Sequence, residues 1–329
     1  MQYRKLGRTD IEVSVVAMGC WPIVGDATWG PQDEADAVAA IETALDAGIN
    51  LFDTAEGYGS GSSEELLGRV LADRRGQVVI ASKVAPDHLR PDDLRASCEA
   101  TLRRLRTDYI DLYLIHWPNW DIPFAETLGV LEGLKAAGKV RAIGCSNFGP
   151  RDLHDLLAHG RVEVNQFAYN MLWRGVEFEV QGICTANDVS ILTYCPLAQG
   201  LLTGKFRSAD EVPLGRARTR HFSRARSGTR HGEEGAEAET FAAVDAVRRI
   251  AAEIEQPMAD VALAWLLSRP GVTSVLAGMR NAEQARENAR AADLALSKDV
   301  LDRLTRATDP LKRRFGPMLD MWQSASRIR

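Results

Sequence analysis

Residues 50–58 read Asn50-Leu51-Phe52-Asp53-Thr54-Ala55-Glu56-Gly57-Tyr58. A short apolar run ends in a carboxylate, and a tyrosine follows five residues later across a turn that continues as Gly59-Ser60-Gly61. Gly48 stops a helical pattern upstream, so the run reads as a buried strand whose C-terminal end delivers Asp53, with Tyr58 on the loop above it. Taken alone, the stretch is as well explained by Asp53 capping a turn and Tyr58 sitting at the surface. Two later apolar runs tip the balance, because each also ends in an ionisable group: Val78–Lys83 closes on Lys83, and Tyr109–His116 on His116.

Outward from this stretch, apolar runs alternate with helical patterns. An N-terminal hairpin is expected first, then a strand at Val15–Met18 that ends in Gly19-Cys20-Trp21, then a helix from Asp33 to Ala47. Ser62 and Glu65 have the spacing of a capping box and open a helix through Leu71. Pro91 starts a helix that runs to about Leu105, and Ala125–Ala137 forms another that Gly138 closes. Further strands are expected at Val140–Cys145, Val162–Gln166, Ser190–Tyr194 and Val272–Leu276, with helices at Pro150–Ala158 and between Val176 and Asn187. Strand then helix, repeated without hairpin signals, means a parallel sheet. Eight such units in 329 residues fit a (β/α)8 TIM barrel of the α/β class, one domain over residues 1–329. Strands buried on both faces read as continuous apolar runs, as most of these do.

Two segments break the rhythm. After the seventh strand, residues 206–236 have no apolar periodicity and carry Arg216, Arg218, Arg220, Arg224, Arg226 and Arg230 with His221 and His231. So polar a loop is expected to bury too little apolar surface to fix itself, and to order on an anionic ligand. The C-terminal extension 309–329, with Met321-Trp322 and a basic end, has no role legible in its residues.

Composition narrows the function. Forty basic residues face 45 acidic ones, a net charge of −5 and an acidic pI of 5.8, which argues against nucleic-acid binding through bulk charge. No apolar run is long enough to span a bilayer, and the N-terminus lacks a signal-peptide core. Five scattered cysteines without a CxxC pair suit a reducing cytosol and neither a disulfide framework nor a zinc site. A soluble cytoplasmic protein, with no nucleic-acid or membrane partner, is the expectation.

Asp53, Lys83 and His116 close three consecutive strands, and in a (β/α)8 barrel the strand C-termini are where reactive groups converge. With Tyr58 above them they make a coherent acid site. A free phenol titrates near ~10, a weak proton donor at neutral pH. A lysine ammonium about 4 Å away favours the phenolate by roughly 4 kcal/mol at an effective dielectric of ~20, lowering the tyrosine pKa by up to ~3 units before desolvation takes some back. Asp53 would neutralise the lysine, and His116 would orient a substrate carbonyl. The site needs an electron source, yet no metal-ligand cluster is present and the loop 57–64 fails as a Rossmann fingerprint, with Ser62 or Glu64 where the third glycine belongs.

On these residues the chain resembles the aldo-keto reductase family over essentially its whole length. The family's catalytic tetrad of Asp, Tyr, Lys and His falls on Asp53, Tyr58, Lys83 and His116. The signatures Phe52-Asp53-Thr54-Ala55-Glu56-Gly57-Tyr58-Gly59 and Gly144-Cys145-Ser146-Asn147-Phe148 occur in order. The resemblance implies NADP(H) as cofactor. Ser146, Asn147 and Gln166 match the groups that bind the nicotinamide carboxamide, Tyr194 the aromatic that stacks on its ring, and Cys20, Trp21 and Asp53 border it. Pro196, Leu197, Gln199, Gly200 and Lys205 resemble the pyrophosphate-wrapping loop, which Arg218 of the basic loop is expected to extend. Gly278, Arg280, Gln284, Glu287 and Asn288 match the adenosine segment, with Arg280 at the 2′-phosphate; Gln284 also has capping-box spacing from Asn281. Trp21, Tyr58, His116 and Trp117, joined by Trp29, would wall the substrate pocket.

The implied activity is NADPH-dependent reduction of an aldehyde or ketone, sugar-derived and other polar carbonyls being suggested by bacterial members with this loop pattern. Two alternatives stay open. A Schiff-base lyase would use Lys83. A non-catalytic NADPH-binding accessory or sensor protein would resemble the channel β subunits, which carry asparagine at the position of His116.

Overall fold

The chain opens with an antiparallel hairpin, β1 (Tyr3–Lys5) and β2 (Glu12–Ser14), in the computed structural model, which describes residues 1–329. Eight parallel strands follow: β3 (Val16–Gly19), β4 (Leu51–Asp53), β5 (Val79–Val84), β6 (Ile110–Ile115), β7 (Val140–Ser146), β8 (Val164–Ala168), β9 (Ser190–Tyr194) and β10 (Val272–Gly278). They close into a barrel, β10 pairing with both β9 and β3. The expected (β/α)8 barrel with its hairpin, long loop and C-terminal extension is the observed architecture.

Alternate strand residues divide two apolar cores, as the two-residue period of a strand requires. Inside the barrel, Ala17, Leu51, Val79, Ala81, Leu112, Leu114, Ala142, Val164, Leu192 and Leu276 pack together, and Leu6, Ile11 and Val13 of the hairpin join them to plug the bottom. The outward set, including Val16, Met18, Phe52, Ile80, Tyr113, Ile115 and Ile143, packs against the helices. These are α1 (Glu34–Asp46), α2 (Ser62–Val70), α3 (Pro91–Leu105), α4 (Phe124–Ala136), α5 (Pro150–His159), α6 (Val180–Ala186), α7 (Glu237–Glu253), α8 (Met258–Leu267), α9 (Ala282–Arg290) and α10 (Lys298–Phe315). No helix is long and apolar enough to cross a membrane.

The structure corrects several local expectations. Ser62 is the first residue of α2, not its cap; Gly61 stands at the cap position with φ 98, and no side chain caps the helix. The chain must turn left-handed there beside α3, where a Cβ on Gly61 would meet Arg104 Cδ at 2.7 Å. Asn281 does cap α9, accepting from Gln284 N at 2.9 Å, but the Gln284 side chain accepts from Arg280 N instead of closing a box. Strand β8 begins two residues later than expected, at Val164, and the Glu163 carboxylate before it accepts from Arg8 N and Arg161. Two helices, α7 and α8, separate β9 from β10.

The basic loop also differs from expectation. Phe206, Val212, Ala217 and Phe222 are buried, spaced too irregularly to register as a pattern. Two of its arginines are neutralised, Arg220 by Glu233 and Arg226 by Glu237 and Asp210, while Arg216, Arg218, Arg224 and Arg230 form no ion pair. Arg220 further donates to the carbonyls of Asp320 and Gln323, and its N–H to Met321 O, which straps the C-terminal extension to the loop.

Candidate active site

A strand shows every second residue to one face, so the barrel interior determines which residues point inward at the rim. Stepping by two from Ala17, Leu51, Ala81, Leu114, Val164, Leu192 and Leu276, and twice by two from Ala142 through Gly144, reaches Gly19, Asp53, Lys83, His116, Gln166, Tyr194, Gly278 and Ser146. One inward residue per strand thus supplies three of the four expected catalytic groups, Asp53, Lys83 and His116, and four further cofactor residues, Ser146, Gln166, Tyr194 and Gly278. Gly19 and Gly278 lie side by side in the ladder, leaving the rim open between β3 and β10.

Lys83 is fully buried, and its ammonium donates to Asp53 Oδ1 at 2.6 Å, to Thr54 O at 2.7 Å and to Tyr58 Oη at 3.2 Å. All three N–H groups are thereby used. Asp53 accepts a second bond, from Gln166 Nε2 at 2.7 Å, so the buried carboxylate is both paired and hydrogen-bonded. Tyr58 is delivered by the left-handed turn Gly59–Gly61, its ring nearly parallel to Trp21 at 6.1 Å and edge-on to His116 at 5.8 Å. Asn147, at φ 65, is of a type that tolerates this conformation. Its amide donates to His116 O at 3.1 Å and accepts from Tyr194 Oη at 2.8 Å.

The electrostatics depart from expectation at Tyr58. Burial pushes the phenol pKa up and is the larger influence; Lys83 pulls it down without overcoming burial, and Asp53 adds to the rise. Tyr58 is therefore a phenol throughout the neutral range. Burial pulls the Lys83 ammonium down, but Asp53 and Tyr58 more than offset it, and the lysine is held above its ordinary value. For His116, burial, Lys83 and Arg327 all act downward and bring it to about 3, so the ring is neutral. An imine-forming lysine must present an uncharged amine to its substrate. Lys83, charged, triply bonded and buried behind Asp53 and Tyr58, does not, and the lyase reading is incompatible with this geometry.

Above the rim lies a cavity of about 930 Å³ that takes in Asp53, Tyr58 and His116 and every residue expected at the cofactor site. Its two ends differ. At one, Lys205, Arg216 and Arg280 gather: burial comes first in depressing Lys205, with Arg216 and Arg280 adding to it. No carboxylate forms an ion pair with any of the three. At the other end stand Trp21, Trp29, Trp117 and Trp322 with Arg218, Arg230 and Arg327. Arg218 belongs here and not with Lys205, its Cζ 5.9 Å from the Trp21 ring and 5.3 Å from Trp322. Gln199, which also lines the cavity, is buried at φ 54 with both amide atoms unpartnered, and Arg216 Nε is likewise unpartnered. Buried polar atoms that face a cavity without partners suit a ligand rich in acceptors and donors, such as a dinucleotide.

The sequence reading missed Arg216, Arg230, Trp322, Gln323 and Arg327. The C-terminal extension supplies the last three: Arg327 lies 3.6 Å over the Trp117 ring and donates to Asp320 at 2.9 Å, roofing the aromatic end. A tryptophan amid polar residues in an otherwise featureless tail was the one available signal.

A barrel whose rim carries a buried Lys–Asp pair against a tyrosine, with a histidine beside it, defines an oxidoreductase site, and the profile of the Aldo/keto reductase family matches residues 16–309. The chain belongs to that family. It is 34% identical over 318 residues to an NADH-specific methylglyoxal reductase of Escherichia coli (strain K12), covering 89% of this chain and 94% of the relative. Among solved structures it resembles a glycerol dehydrogenase from Gluconobacter oxydans (TM-score 0.79, 30% identity, 96% of each chain covered). It also resembles an aldo/keto reductase from Klebsiella pneumoniae in complex with NADP and acetate (TM-score 0.73, 29% identity, 97% of this chain and 99% of the other).

Proposed function

We propose that the protein reduces an aldehyde or ketone to the alcohol with NADP(H), Tyr58 giving the proton. One observation carries the reading: at the rim, a fully buried ammonium neutralised by Asp53 touches the hydroxyl of Tyr58 beside a neutral His116. A nicotinamide dinucleotide, when bound, supplies the hydride. Ser146, Asn147, Gln166 and Tyr194 are assigned to its nicotinamide end, with Cys20, Trp21 and Asp53 alongside. Pro196, Leu197, Gln199, Gly200, Lys205 and Arg216 are assigned to the phosphates, and Gly278, Arg280, Gln284, Glu287 and Asn288 to the adenosine.

The neutral His116 ring keeps an N–H with which to hold the substrate carbonyl. An alkoxide is a far stronger base than a phenolate, so Tyr58 donates to it even with a raised pKa. Lys83 then stabilises the phenolate left behind, by roughly 5 kcal/mol at an effective dielectric of ~20 over the 3.2 Å contact. Preference for NADP(H) over NAD(H) is inferred from the un-neutralised Lys205, Arg216 and Arg280. Arg280 spends three donors on Gln32, Trp29 O and Pro31 O, leaving two N–H bonds for a phosphate.

Titration of tryptophan fluorescence with NADPH and with NADH, followed by addition of a small aldehyde such as methylglyoxal, tests the reading. NADPH should bind at least ~10-fold more tightly, as charge-assisted bonds to one added phosphate imply, and should be oxidised once the aldehyde arrives. Tight binding without turnover on any carbonyl would instead mark an accessory protein.

A further inference from the structure

At the aromatic end of the cavity, cationic groups stand where a carbonyl substrate would extend away from Tyr58. Arg218 makes one side-chain hydrogen bond, to Thr28 Oγ1 at 2.9 Å, and its Nε is buried without a partner. The guanidinium faces two indoles, Trp21 and Trp322, which fix its position and shield it from water. No carboxylate forms an ion pair with it. Asp26, an acid near enough to act on it, spends both oxygens on its own turn, accepting from Trp21 Nε1, Thr28 N and Trp29 N. Asp320 is likewise held by Arg327 and Trp322 N. Arg230 adds a second cation, close enough to disfavour the charge on Arg218, and forms no ion pair either. Arg218 is half-buried and Arg230 exposed, and neither has an anionic partner, which leaves their N–H groups available to an anionic ligand.

The geometry points to Arg218, seconded by Arg230, as the group that selects the substrate: a carbonyl compound bearing a carboxylate or phosphate several bonds from its carbonyl carbon. The inference rests on the reductase reading above and adds the substrate class to it. Trp21 neighbours both, its ring 6.1 Å from that of Tyr58, where the carbonyl is reduced, and 5.9 Å from the Arg218 guanidinium. The cofactor phosphates do not need Arg218, because Lys205, Arg216 and Arg280 form a separate cluster. A planar fork suits either anion through paired N–H bonds.

Matched substrates test this: 4-oxobutanoate against butanal for the carboxylate, and glyceraldehyde 3-phosphate against glyceraldehyde for the phosphate. In at least one pair the wild-type kcat/KM should favour the charged member by ~10-fold or more, and the pair that does so names the anion. Arg218→Met should remove that preference through KM, costing the charged member at least ~10-fold more than the neutral one, and Arg218→Lys should restore part of it. Wild-type activity without preference in either pair overturns the inference and leaves the reductase reading intact. So does an Arg218→Met loss that is equal for both members or that tracks weaker NADPH binding. Failure to reduce any of the four carbonyls overturns the reductase reading, and this inference with it.

Discussion

Replacing Lys83 with methionine separates what the lysine does for the fold from what it does for the chemistry. The ammonium lies 3.2 Å from Tyr58 Oη, which at an effective dielectric of ~20 is worth roughly 5 kcal/mol to the phenolate. At about 1.4 kcal/mol per pKa unit, its loss drives the already raised Tyr58 up by as much as ~4 units more. If the proton is about half transferred in the transition state, kcat should fall by roughly 100-fold. The substitution also strands Asp53, which keeps only the bond from Gln166, and an uncompensated buried charge costs about 3–5 kcal/mol of stability. Adding Asp53→Asn to Lys83→Met removes that charge, so the urea midpoint should recover most of its loss while kcat stays low. Oxidation of reduced nicotinamide and a urea titration of both variants give the two readings. A Lys83→Met enzyme within tenfold of wild-type kcat, or a double variant no more stable than the single, would refute the reasoning.

Two further outcomes follow from the charges described above. Burial, with Lys83 and Arg327, holds His116 near 3, and burial with His231 holds His221 near 4, both below the ordinary 6.5, so the unfolded chain takes up these protons before the folded one does. Stability from this source is complete above pH 6.5, is lost as pH falls toward the folded values, and should drop by about 2 kcal/mol per histidine between pH 7 and pH 5, read as a lower urea midpoint; equal midpoints would contradict it. Arg280→Ala should weaken NADPH by about 1.5–3 kcal/mol more than NADH, on top of a loss common to both from freeing the 29–32 loop, whereas Arg216→Met should weaken both coenzymes, as fluorescence titration will report.

Much of the architecture was legible because parallel strands buried on both faces leave continuous apolar runs, and a rim residue such as Asp53, Lys83 or His116 interrupts such a run with a charge. What the residues alone could not convey depends on distant parts of the chain. The direction of the Tyr58 shift is decided by burial, and the local pattern spoke only for the lysine beside it. Arg216 and Arg218 are indistinguishable by spacing, yet the fold sends one toward Lys205 and the other between two indoles. Part of the loop's packing was hidden for the same reason, since Arg220 and Arg226 find carboxylates at Asp210, Glu233 and Glu237 that no periodicity marks. Ser62 failed as a cap because the turn before it needs a left-handed glycine, a demand set by packing against Arg104.

The central claim is that Tyr58 delivers the proton, and Tyr58→Phe tests it most directly, since only the hydroxyl is removed and the ring keeps its place between Trp21 and His116. With cofactor affinity and turnover measured on the same preparation, NADPH should bind as it does to wild type while kcat for a good aldehyde falls by at least ~100-fold. A variant that binds NADPH normally and reduces the aldehyde at close to the wild-type rate would contradict the account.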